Sequence, residues 1–182
     1  MGLLSWLFGK KPIPTPSPVP KPNVSFEEDL ATLLDLHNAF RITNRKPRFT
    51  RSPILDTAAQ YWANKMAEQS ELSHEFRGST LVERIEDAGY YPWLGIAENI
   101  LQGASTAKQA FLGWTASAPH RHNLLGNYTS IGLGVACDKD GEPFWCVDFG
   151  SLQIPPALKD AYEHSPGIVL ERGISLAGPI WT

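Results

Sequence analysis

The stretch from Ile131 to Phe149, IGLGVACDKDGEPFWCVDF, decides the fold class. Two strand-like runs, Ile131 to Cys137 and Phe144 to Phe149, flank a polar hexapeptide containing Asp140-Gly141, a pair that favours a tight hairpin turn. The hairpin therefore closes the C-terminal half of the domain. Working back from it, Ile96 to Leu101 is short and apolar and reads as one further buried strand.

Ahead of that strand the pattern is helical. Ser25 and Glu28 stand at capping-box spacing, and Phe26, Leu30, Leu33, Leu34, His37 and Phe40 recur at helical intervals, predicting a helix over about residues 26–42. Ser52-Pro53 opens a second helix, about 53–69, with Leu55, Ala59, Trp62, Ala63, Met66 and Ala67 as its apolar stripe. A third helix starts at Thr80, capped with Glu83, and ends at Gly89. A fourth runs from near Thr106 through Phe111 and Trp114, and a helical turn follows near His120–Leu125. Helices first, then a hairpin, with one strand between, predict an α+β domain: a small antiparallel sheet covered by helices.

Composition narrows the function classes. The chain has 182 residues, 42% of them hydrophobic and 19% charged, so it can build one core and is not disordered throughout. A net charge of −3 argues against a general polyanion binder, and no nucleic acid partner is expected. Two cysteines do not make a disulfide scaffold. No apolar run reaches the roughly 18–20 residues of a membrane span. The stretch Arg41 to Arg51 holds five basic residues and no acid, and reads as a solvated loop in preference to a phosphate-binding patch.

The enzyme signatures with fixed spacing are missing: there is no glycine-rich phosphate loop, no nucleophile elbow, no zincin helix after His74-Glu75, and no C-x-x-C. What remains is a set of histidines and carboxylates at segment ends. Glu98, between Ala97 and Asn99 in the apolar run Gly95 to Leu101, is out of place, because a buried carboxylate needs a cationic or hydrogen-bonding partner. His74 and His120 are the available candidates. A carboxylate facing imidazoles serves either as an acid–base pair or as part of a metal site. His122, two residues from His120, points elsewhere on a helix and reads as a surface neighbour. Arg121 is open to three roles: pairing with Glu98, binding an anionic group, or a helix-end contact. Cys137 and Cys146 are nearly symmetric about the hairpin turn, which allows a cross-strand disulfide in an oxidising compartment or two thiols in a reducing one.

An ordered series of short matches over about residues 33–150 resembles the CAP superfamily (SCP domains; cysteine-rich secretory, antigen five and pathogenesis-related proteins), in its bacterial form. The series comprises His37-Asn38 and Arg41; Leu55, Ala58, Ala59 and Trp62-Ala63; Ser73-His74; Arg84 with Ala88-Gly89-Tyr90; Ala97-Glu98-Asn99-Ile100; Trp114, Ser117, Pro119-His120-Arg121, Asn123-Leu124-Leu125 and Tyr128; Ile131 to Val135; and Trp145 with Phe149-Gly150. The resemblance implies an α-β-α sandwich with a cleft lined by two histidines and acids, which in some members holds a divalent metal such as zinc. It places the cleft histidines at His74 and His120, as the metal ligands, and the glutamate at Glu98. The second glutamate of eukaryotic members is absent, since Trp114 is followed by Thr115, Ala116 and Ser117. Glu83 is a possible substitute, with helix capping as its other reading; Asn99, Arg121 and Glu83 are expected as binding residues. The glutamine common in the last strand is also absent, its place taken within Cys146-Val147-Asp148.

Four segments follow: an apolar tip (1–10), a proline-rich linker (11–24), the CAP domain (25–150) and an irregular tail (151–182). Prolines at every second position from Pro12 to Pro22 favour extended polyproline II. The tip, with Leu3, Leu4, Trp6, Leu7 and Phe8 ahead of two lysines, lacks the order of charge and apolar run of a secretory signal and could dock on a membrane surface or a protein. Cytoplasmic, membrane-associated and particle-associated locations stay open, as does oligomeric state. The expected function is a binding module whose cleft takes a divalent cation or a small lipid-like or peptidic ligand. Two alternatives stand beside it. One is a hydrolase of peptidase or esterase type, with His74, Glu98 and His120 catalytic. The other is an anchored component that presents the domain to a partner.

Overall fold

A computed structural model describes residues 24–153. The apolar tip, the linker up to residue 23 and the tail from residue 154 lie outside the described residues, as does the Ser25 side chain of the first predicted capping box; Val24, predicted as linker, opens the first helix, and residues 151–152, predicted as tail, belong to the last strand.

Among the described residues, five helices and four strands follow in the order α1 (Val24–Thr43), β1 (Thr50–Arg51), α2 (Pro53–Gln69), α3 (Leu81–Asp87), β2 (Trp93–Gln102), α4 (Ala107–Ala116), α5 (Ala118–Leu124), β3 (Ser130–Cys137) and β4 (Pro143–Leu152). The sheet order is β1-β3-β4-β2. Its hairpin is the predicted one: β3 and β4 pair antiparallel, and the Asp138 carboxylate closes the turn by accepting from the Asp140 and Glu142 amides. Two features differ from expectation. The sheet is mixed, because the two-residue β1 inside the predicted basic loop pairs parallel with β3. The strand expected over 96–101 extends to ten residues, because β4 offers it pairing partners as far as Leu152.

Side-chain alternation along β4 separates the two faces of the sheet. Trp145, Val147 and Phe149 join Leu33 of α1 and Phe111 and Trp114 of α4 in the largest core, while Phe144 and Cys146 pack on Trp62, Ala63 and Met66 of α2. This is a helix–sheet–helix sandwich. On β3 the α2-facing positions are glycines: a Cβ on Gly132 would lie 2.1 Å from the carbonyl carbon of Leu55, and one on Gly134 would lie 2.4 Å from the Gln60 nitrogen. Helix α2 therefore rests its backbone directly on the strand. That contact is extended by Asp56 and Gln60, whose side chains accept from the Leu133 and Val135 amides.

Helix ends follow the predicted chemistry. Ser52 caps α2 through Leu55 N, with Pro53 in the first turn, and Thr80 and Glu83 form a complete capping box on α3. Ser117, in extended conformation, ends α4 and begins α5. Arg41, predicted as part of a solvated stretch, is instead buried. Its guanidinium donates to the carbonyls of Pro47, Leu124, Gly126 and Tyr128 and lies over the Phe49 ring, tying the loop after α1 to the loop after α5.

Candidate functional site

The site is built where the loop after α2 meets the edge strand β2. Trp62 on α2 donates from its indole nitrogen to Ser73 O at 2.9 Å, and Arg84 on α3 donates to His74 O at 3.2 Å and Ser79 O at 2.8 Å. These bonds hold the loop carrying His74 over the strand. Ser73 forms a local turn: its hydroxyl donates to Glu75 O and accepts from Glu75 N.

Glu98 is the centre of the arrangement. It sits on β2 on the face turned toward α2, 2% exposed in its side chain. His74 Nδ1 donates to its Oε1 at 2.7 Å, and Arg84 Nη2 donates to its Oε2 at 2.6 Å. The Arg84 side chain is itself 1% exposed and stacks 3.6 Å above the Trp62 ring. The partner that Glu98 requires is thus first an arginine that the sequence reading had given no role, and second the predicted histidine. His74, by contrast, is 59% exposed in its side chain. Its Nδ1 is held inside and its ring opens to solvent.

His120 reaches the same edge from α5. Its backbone carbonyl accepts from Asn99 Nδ2 at 3.1 Å, and Asn99 in turn accepts from Asn123, which also donates to Glu98 O. Partial burial, and then the neighbouring charge of His74, hold the His120 imidazole below its ordinary value. The His74 ring and Glu98 thus meet at one edge of the sheet, and the His120 backbone is bonded to the neighbouring Asn99.

The remaining predicted residues have their own partners. Asn99 is fully buried and positions α5. Glu83 is exposed and caps α3, the second of its two readings. Arg121 donates to Thr115 O at 3.1 Å at the junction of α4 and α5, the helix-end contact among its three readings, and makes no pair with Glu98. Cys137 and Cys146 are both free thiols: Cys137 pairs with Pro143 and Cys146 with Gly134, three ladder positions apart, one exposed and one buried, so they do not oppose each other across the hairpin.

Behind Glu98 lies a second acid that the sequence reading passed over. Asp148 faces Glu98 across the β2–β4 ladder, fully buried, with Cys146 Sγ 3.4 Å from Glu98 Oε2 and 3.9 Å from Asp148 Oδ1. The signal that marked Glu98, a carboxylate inside an apolar run, was equally present in Val147-Asp148-Phe149. Glu98, Cys146 and Asp148 offer ligand atoms within 4.8 Å of one another. The positive charge at this point is already supplied by Arg84. Burial, then the Glu98 charge, raises the Asp148 carboxyl well above its ordinary range, and burial, then the Asp148 charge, raises the Cys146 thiol. These shifts favour the protonated forms of both groups, beside the Arg84–Glu98 ion pair.

Comparison with known proteins agrees with this architecture. The chain matches the cysteine-rich secretory protein family (CAP) over residues 34–149. Among curated proteins, none matches it. Among solved structures it is similar to an outer surface protein from Borrelia burgdorferi, at 21% identity and TM-score 0.64, covering 70% of this chain and 96% of that one. It is also similar to an extracellular protein containing a SCP domain from Bacillus anthracis, at 25% identity and TM-score 0.61, covering 69% of this chain and 41% of that one. A cysteine-rich secretory protein from Staphylococcus aureus follows at 18% identity and TM-score 0.56, covering 69% and 39%. The chain thus spans about two fifths of the Bacillus and Staphylococcus proteins. With a family match over most of its length, a helix–sheet–helix sandwich and these structural neighbours, the chain belongs to the cysteine-rich secretory protein (CAP) family.

Proposed function

We propose that this domain is a binding module whose cleft takes a divalent cation of the zinc class between His74 and His120, with further coordination positions left for a small lipid-like or peptidic ligand. The observation that carries this reading is the direction of the His74 ring. With Nδ1–H committed to Glu98, the lone pair lies on Nε2, on the exposed side. A carboxylate behind a histidine fixes the tautomer and raises the basicity of the outward nitrogen, as in metal sites generally. Imidazole donors suit zinc, copper and nickel, and two protein ligands leave an open site. A bound cation would supply Lewis acidity toward a ligand donor group. The chain's own part is to hold His74 through Glu98 and Arg84, and His120 through Asn99.

A binding role is favoured over hydrolysis by the state of Glu98. A general base needs a free oxygen facing the substrate. Here Oε1 accepts from His74 and Oε2 accepts from Arg84 and Cys146.

Zinc titration of the full chain by calorimetry tests the proposal. The expected result is one equivalent bound, lost about tenfold or more in His74→Ala and His120→Ala, weakened roughly 10–100-fold in Glu98→Gln, and unchanged in Cys146→Ser. Unaltered binding in His74→Ala overturns it. Zinc-dependent turnover of an ester or peptide panel, abolished by Glu98→Gln but not by Arg45→Ala, would establish the hydrolase instead.

A further inference from the structure

On the opposite side of α5 from His120 the surface sinks into a depression of about 570 Å³ between the loop after α1 and the loop after α5. Lys46, Arg121 and His122 line it together with Asn127 and Tyr128. Among the described residues no acid lines it, although the chain carries nineteen acids against sixteen bases. The bases come from separate parts of the sequence: Lys46 from the stretch that read as a solvated loop, Arg121 and His122 from α5. Their meeting is a property of the fold.

The walls are built. Buried Arg41 binds the carbonyls of Leu124, Gly126 and Tyr128 from beneath, so a fixed guanidinium lies under the floor and the loop above it is held in one conformation. Lys46 donates to Asn127 across the depression at 3.2 Å. Its own amide is tied to Arg41 O at 2.8 Å, after a turn in which Arg45 adopts the left-handed conformation at φ 58°. Among the described residues the Arg121 guanidinium makes one hydrogen bond, to Thr115 O, which anchors the fork and leaves further donors for a ligand. A preformed, acid-free pocket with one planar fork, one ammonium and one imidazole matches the needs of a tetrahedral oxyanion. Its volume falls in the range of small-molecule sites, larger than the anion alone requires.

We propose that this depression binds a phosphate ester, with the phosphate between Lys46 and Arg121 and the organic portion toward Tyr128 and Leu125. The site shares no residue with the His74–Glu98–His120 cleft and does not depend on the reading of that cleft.

The phosphate ester could be a soluble metabolite-sized molecule or the headgroup of an anionic lipid, and two arms separate these. In the first, sn-glycerol 3-phosphate is titrated into the isotope-labelled full chain and followed by amide NMR, with glycerol as the uncharged control. In the second, the full chain is sedimented with vesicles of equimolar phosphatidylcholine and phosphatidylglycerol, with pure phosphatidylcholine as control. The expected result is saturable, phosphate-dependent binding in at least one arm. It should be centred on Lys46, Arg121, His122 and Asn127 where NMR reads it, and weakened about tenfold or more in the Lys46→Glu and Arg121→Glu variants. Unchanged thermal melting of these exposed-surface variants shows that the loss is local, and Arg121→Gln gives a milder loss in the same direction. Absence of saturable binding in both arms, or binding equally strong in the charge-reversal variants, overturns the proposal.

Discussion

Glu98 and Asp148 stand opposite each other on neighbouring strands, and the Arg84 guanidinium faces this pair of buried carboxyls. Arg84 bonds Glu98, and Asp148, whose carboxyl is raised well above its ordinary range, keeps its Oδ2 unpartnered among the described residues. Because its proton is held more tightly folded than unfolded, stability contributed by this group is present at low pH and is lost as pH rises above about 3.8, where the unfolded chain gives the proton up. Asp148→Asn has no proton to lose. It is expected to be more stable than the parent at pH 8, by about 1 kcal/mol or more, with the difference shrinking toward pH 4, as read by urea denaturation at the two pH values.

Removing Arg84 should be far more damaging than removing the pair. Arg84→Met leaves Glu98 charged and buried and takes away the stacking on Trp62, at an expected cost of about 3–5 kcal/mol. The double variant Arg84→Met with Glu98→Leu should recover a large part of that loss. A double variant less stable than Arg84→Met alone would contradict the ion-pair account.

The close seat of α2 on β3 makes a sharp steric prediction. Gly132→Ala and Gly134→Ala each drive a methyl into helix backbone that cannot rotate away, and each should cost about 3 kcal/mol or more. Gly95→Ala is the control. Its Cβ would meet only the Tyr128 ring at 3.6 Å, and the change should cost less than about 1 kcal/mol in the same denaturant series.

Acid sensitivity should come in part from a histidine remote from the cleft. Burial, against a favourable bond to Leu33 O and with a further contribution from Arg41, lowers His37 to about 4. Between pH 6.5 and 4 the unfolded chain binds a proton that the folded one refuses, so stability falls as pH falls across this window, by about 3 kcal/mol in total, and levels off below it. His37→Leu should flatten the profile there. A profile of unchanged slope in that variant would show that other groups carry the acid response.

Much of the fold was legible because it rests on local rules. Caps at Ser52 and Thr80, the Asp140-Gly141 turn and the apolar stripe of α2 each act within a few residues, and each stands where the pattern put it. Strand β1 was not legible, because two polar residues carry no periodicity and pair only after β3 exists. In the site, Glu98 could be singled out by its apolar neighbours, and His74 followed as a partner, whereas Arg84 could not be assigned: it lies on α3, fourteen residues from Glu98, and looks in sequence like an ordinary helix-surface cation. The place of Cys146 beside Glu98 was not legible either, since symmetry about a turn does not reveal ladder register. Arg41 shows the reverse error. Its basic neighbours suggested solvent, but four carbonyls left without partners at two loop ends drew it inside.

The central claim is that Glu98 fixes the His74 ring so that Nε2 faces outward as a ligand beside His120, and imidazole nitrogen NMR on the full chain tests it most directly. With the rings neutral, His74 should be the Nδ1–H tautomer, and added zinc should move the Nε2 resonance of His74 together with a ring nitrogen of His120 while leaving His37 and His122 in place. A His74 ring protonated on Nε2, or a zinc response confined to other histidines, would contradict the account.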